Sequence, residues 1–259
     1  MAPATRLPHI PSVGIVATES SICQKAFDFC KANCDTAVLN HAVRAAYWSL
    51  IISQKHPNFT GAEIDMEVVV LSCILHDMGW SETPEHRSAD KRFEVDGANV
   101  AREFVRDQNS GTEGSWTEAR IQRSWDAIAL HATPSIARHA AKEVALVQMG
   151  VLADFFGPRT HEVAGGPEDL ITVDEYHAVM RVFPRAGFDG QGMRKILCHL
   201  CRMKADTTFD NWVGDFGLTY GTDGEGENLE EYKQGWEKAR SASILTSALE
   251  SLVTLDQQD

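Results

Sequence analysis

At 259 residues, with 43% hydrophobic and 24% charged residues, the chain can bury a substantial core and has the composition of a globular protein. A formal net charge of −13 without any polybasic run excludes a general nucleic-acid binder, since phosphate backbones demand basic patches. Apolar stretches such as 68–75 are far too short to span a bilayer, and the proline-rich N-terminus lacks a basic region followed by an apolar run, so the expected home is the cytoplasm, with the nucleus also open.

Helical periodicity dominates after an N-terminal arm at 1–18, and 19–259 reads as a single all-α domain with core motifs at 35–205 and a helical extension at 206–259. The first helix is expected over 20–32, with Ile22, Ala26, Phe29 and Cys30 on one side. Asp35 can cap a second helix through AVLNHAVRAAYWSLIISQK, and a third covers AEIDMEVVVLSCILHD after Gly61. Residues 79–91 have loop chemistry. A fourth helix follows in FEVDGANVAREFVRDQ and stops at the Asn109-Ser-Gly turn. The fifth, TEARIQRSWDAIALH, ends before Pro134, and the sixth, KEVALVQMGVLADFF, ends at Gly157-Pro158. Further helices are expected at 173–182, 190–205 and 229–254, with a surface loop at 221–227. Cys198-x-x-Cys201 and Cys30-x-x-x-Cys34 sit in apolar helical patterns, where buried reduced thiols are expected rather than a zinc knuckle.

Ionisable residues set into apolar helices are the informative feature. VVVLSCILHD is apolar nearly all round yet finishes with His76-Asp77, and Asp154 stands alone in GVLADFF. His131 closes DAIALH, and His41 lies between apolar neighbours in VLNHAVRAAYW. A buried carboxylate must be paired, protonated or coordinated, and pairing of such an aspartate with an arginine such as Arg44 is one alternative. Taken together, three imidazoles and two carboxylates suit one divalent transition metal, zinc foremost, with iron or manganese accepted by the same donors. Neighbours in a helix point about 100° apart, so His76 and Asp77 can share an ion only near the end of the helix axis, where Met78-Gly79-Trp80 breaks the chain.

His41, His76-Asp77 and Asp154 reproduce the H…HD…D pattern of HD-domain metal-dependent hydrolases. With the flanks LNHAVRAAYW, LHDMGW, KRFEVDGANVA, IALHATPSIA and GVLADFFG, the chain resembles the cyanamide hydratase-like branch of that superfamily over roughly residues 35–205. The resemblance implies a helical bundle with a central mononuclear metal bound by His41, His76, Asp77 and Asp154. It also implies a hydratase or hydrolase of a small molecule, in which activated water attacks a nitrile-type carbon, as in cyanamide to urea. His131, Glu82, Glu94 and Asp96 are candidate proton carriers, His131 first among them; Trp80 is a candidate pocket wall and Arg92 a candidate substrate-orienting group. Two alternatives stay open: a phosphohydrolase using Arg44, Arg87 and Arg92, and a di-iron oxygenase drawing extra ligands from His86, His131 and His139. An exposed apolar helix in the C-terminal region would allow a homo-oligomer.

Overall fold

The structure is a computed structural model that describes residues 7–10, 20–109, 116–239 and 243–257. The chain forms two compact units, 1–189 and 190–259, whereas the sequence reads as one domain from 19 with an extension from 206. Every regular element among the described residues is helical, as expected. None of these helices is long and apolar enough to cross a membrane.

In the first unit the long helices are α1 (Ser21–Asn33), α2 (Thr36–Lys55), α3 (Met66–Leu75), α4 (Phe93–Asn109), α5 (Glu118–Leu130) and α7 (Lys142–Phe156). The short α6 (Pro134–Ala137) and α8 (Thr160–Ala164) and the ten-residue α9 (Val173–Val182) complete it. The Asp35 side chain accepts the Val38 amide and starts α2. Asp65 does the same for Val68, so α3 begins four residues later than the apolar pattern suggests. A glutamate three residues after Thr172 closes a reciprocal capping box on α9.

α2 and α3 are buried nearly all round, as their composition requires, and α7 lies against both. α2 and α7 approach so closely that a Cβ at Gly150 would lie 1.9 Å from Ser49 Oγ and 2.6 Å from the Ala45 carbonyl oxygen. Part of the N-terminal arm packs on this core: Ile10 is buried and the Tyr47 hydroxyl donates to the Pro8 carbonyl. The rest of the arm, and the turn expected from residue 110, lie outside the described residues.

The second unit contains α10 (Gly190–Met203), α11 (Val213–Tyr220), α12 (Leu229–Ala239) and α13 (Ser243–Asp256). The helix expected over 229–254 is thus described as two pieces, and α11 was not expected. α13 exposes Leu245, Leu249, Leu252, Val253 and Leu255. None of the six cysteines forms a disulfide.

Candidate metal centre

α3 ends at Leu75; His76 keeps helical angles as its cap, and Asp77 turns the chain into a single 3-10 turn, Met78–Trp80. The turn is held tightly: a Cβ at Gly79 would lie 2.1 Å from the Phe93 carbonyl oxygen at the start of α4. The two side chains can therefore converge at the end of the α3 axis. α2 brings His41 to the same place, and with Arg44 and Trp48 it forms one helix face at i, i+3 and i+7.

His41, His76 and Asp77 form a buried cluster able to hold a metal ion. His41 Nε2 is 3.2 Å from His76 Nε2 and 3.5 Å from Asp77 Oδ2, and His76 Nε2 is 3.0 Å from Asp77 Oδ2. Two ligand atoms on one tetrahedral zinc ion, with bonds of about 2.0–2.1 Å, stand about 3.3 Å apart. The three edges match one face of such a tetrahedron.

Hydrogen bonding fixes which ring nitrogen is free. His76 Nδ1 donates to the Cys73 carbonyl, 2.7 Å, and His131 Nδ1 to the Ile128 carbonyl, 2.7 Å. His41 Nδ1 donates to Asp154 Oδ2, 2.8 Å. In their neutral forms all three imidazoles therefore present Nε2 lone pairs, and His131 Nε2 lies 3.8 Å from Asp77 Oδ1. Neither Asp77 oxygen has a hydrogen-bond partner although both are buried. Acceptors facing one another in a dry interior are what a cation would satisfy, so these residues fit a divalent metal.

The charges respond accordingly. Burial acts to lower His76, but the Asp77 carboxylate beside it raises it overall. Burial acts to raise Asp77, and His76 and His41 hold it below the usual range. His41 is lowered, because burial outweighs the Asp154 hydrogen bond. His131 is pushed down to about 3 by burial and by His76, so it sits as a neutral acceptor.

Asp154 is buried but stands outside the ligand cluster. It meets the Nδ1 side of His41, and Arg44 grips it through Nε to Oδ1 and Nη2 to Oδ2, both 2.7 Å. Trp48 Nε1 adds a bond to Oδ1 at 2.9 Å, and Arg185 reaches the Asp154 backbone carbonyl at 2.7 Å. The arginine alternative raised by the sequence is therefore realised here. Phe188 stacks on the His41 ring, centroids 4.0 Å apart, and Phe155 meets that ring edge-on at 5.6 Å.

The remaining candidates separate. Glu82 is exposed, its backbone amide tied to Asn33, because the chain turns outward after the buried Ser81. Asp96 is buried but accepts the Ser88 amide and hydroxyl and so braces that loop. Glu94 is buried, paired with Arg92 Nη2 at 2.5 Å; burial raises it despite Arg92, and the Asp77 charge adds to the rise. Arg92 is thus committed to a carboxylate. Trp80 packs on Phe93, which touches His131, and its buried indole N–H has no partner. His86 bonds Ser81 on the far side of the turn and lines a separate cleft with Phe29 and Asp96, and His139 is exposed. Sequence reasoning missed Trp48, Arg185 and Phe188.

The helical fold and the His/Asp cluster agree with the family comparison: the model of the HD domain family matches residues 38–153, somewhat under half of the chain. Among curated proteins the chain is similar to Cyanamide hydratase DDI2 and Cyanamide hydratase DDI3 of Saccharomyces cerevisiae. Each is 26% identical over 148 residues, 57% of this chain and 59% of the relative. The chain thus spans about three-fifths of the length of the curated relatives it matches.

Proposed function

We propose that the chain is a metal-dependent hydratase of a small nitrile-type molecule, adding water to cyanamide or a close analogue to give urea or its counterpart. The observation that carries this reading is the triangle of His41, His76 and Asp77 ligand atoms around a carboxylate that has no hydrogen-bond partner. Similarity to the yeast cyanamide hydratases supports the choice of reaction.

A divalent ion held by these residues supplies Lewis acidity and a water whose pKa falls from about 15.7 towards about 7. His131, with its Nδ1 proton committed to Ile128, would present Nε2 beside Asp77 as a hydrogen-bond acceptor that orients such a water. Glu94, a carboxyl that burial raises despite Arg92, would deliver a proton to the nitrile nitrogen and be restored by the proton the water gives up, so that one water adds across the C≡N bond and the resulting imidic acid tautomerises to the urea-type product. Trp80, with its unpartnered N–H, and Phe93 wall the approach. With His41, His76 and Asp77 almost wholly buried, the site favours a small substrate over a polymer.

The phosphohydrolase alternative is weakened because two of its three arginines are engaged, Arg44 by Asp154 and Arg92 by Glu94. Elemental analysis joined to a urea-release assay with cyanamide tests the proposal. One zinc, iron or manganese ion per chain with urea formed supports it. Phosphate release from a nucleotide panel without urea would move the assignment to the phosphohydrolase, and two irons per chain to the oxygenase.

A further inference from the structure

The H…HD…D pattern makes Asp154 a metal ligand, but its hydrogen bonds fit a different role. An ionised carboxylate has about four acceptor sites. On Asp154 they are filled by four donors: Arg44 Nε and Trp48 Nε1 on Oδ1, Arg44 Nη2 and His41 Nδ1 on Oδ2. The guanidinium that grips it is itself fully buried and also donates from Nη1 to the Phe183 and Pro184 carbonyls, at 3.3 and 3.1 Å. A cation taking an Asp154 oxygen would have to break this arginine fork and leave its charge buried and unpaired. Asp77, by contrast, already offers two oxygens with no donor on either.

We propose that Asp154 binds no metal and is instead the positioning residue for His41. Locked by Arg44 and Trp48, it holds the proton on His41 Nδ1 and so fixes the Nε2 lone pair towards His76 and Asp77. A carboxylate bound to the outer nitrogen of a ligating histidine orients the ring and strengthens it as a donor. The inference rests on the metal-site reading above, and its test separates the two.

The first measurement uses the zinc-loaded wild-type protein with nitrogen-15-labelled histidines. Nuclear magnetic resonance is expected to find His41 protonated and hydrogen-bonded at Nδ1 and metal-bound at Nε2. A His41 without a proton on Nδ1, or bound through Nδ1, overturns the proposal. The second measurement uses Asp154→Asn loaded with cobalt(II). It is expected to bind one ion with the band shape of the wild type and an affinity 10–100-fold weaker. A changed coordination spectrum, matching that of Asp77→Asn, overturns the proposal. Should Asp154→Asn fail to fold, the wild-type resonance experiment decides alone. A wild type that binds no ion defeats the metal-site reading itself, an outcome distinct from a bound ion with the wrong His41 tautomer.

Discussion

Asp77 and Asp154 are buried to nearly the same degree, yet their surroundings are opposite. Asp77 stands at a chain turn with three imidazole Nε2 atoms around it and no hydrogen bond to either oxygen. Asp154 stands within α7 with every acceptor site filled and an arginine charge against it. Burial alone therefore does not mark a ligand. What marks it is an acceptor that the protein leaves unmatched, because an unpaired buried charge is costly and must be offset by something outside the chain.

The largest effect that tests this contrast is loss of the ion. Asp77→Ala is expected to abolish bound metal and to lower urea formation on the order of 10³-fold, since a metal supplies several kcal/mol to such a reaction. Retained metal in that variant would break the comparison at its first term. Next in size is stability without metal, read by denaturant unfolding in a chelator. Asp154→Ala is expected to lose about 3–5 kcal/mol, because Arg44 stays buried without its partner. Asp77→Asn is expected to cost less metal-free stability than Asp154→Ala, since Asp77 faces only imidazoles, His76 Nε2 at 3.0 Å, whereas Asp154 meets a permanent arginine charge. Equal losses in the two variants would erase the distinction.

The smallest effect is in pH dependence. His131 is near 3 in the folded chain, below its ordinary value of about 6.5, so the stability it contributes is complete above about pH 6.5 and is lost as the pH falls towards 3. His131→Asn in the metal-free protein is expected to flatten the stability curve across that window. Asp154 also has its folded value depressed: burial would raise it, but Arg44 and His41 hold it well below the usual carboxylate range. Its own contribution is therefore complete above about pH 4 and declines only below that, so Asp154→Asn is expected to remove that acid loss below pH 4 and to act in the window from 6.5 to 4 only through His41, whose value it lowers further. Urea unfolding at stepped pH checks both.

Much of this was legible in the sequence, and for physical reasons. The long helices follow from apolar periodicity and, for α2, from the Asp35 cap, and the meeting of His76 with Asp77 at the end of α3 follows from helix geometry and the Met78-Gly79-Trp80 break. HAVRAAYW also places His41, Arg44 and Trp48 on one face, but only the packing of α2 on α7 decides that this face meets Asp154. Spacing could not tell that Glu82 turns outward while Glu94 turns inward, because the intervening loop sets both directions. Phe188 and Arg185 come from the segment after α9, which carries no periodic signal. α11 escaped notice because Gly214 and Gly217 lower its helix propensity; there, small residues let Tyr232 lie against the helix, with a Cβ at Gly217 only 2.3 Å from its ring.

The seclusion of the cluster carries a kinetic consequence. With His41, His76 and Asp77 exposed by 2% or less, a chelator too bulky to enter where a small nitrile does would reach the bound ion only when the surrounding helices part. Release should then proceed at the rate of that opening and become independent of how much chelator is added. An ion gained during folding would be exchanged slowly afterwards, whatever its equilibrium affinity.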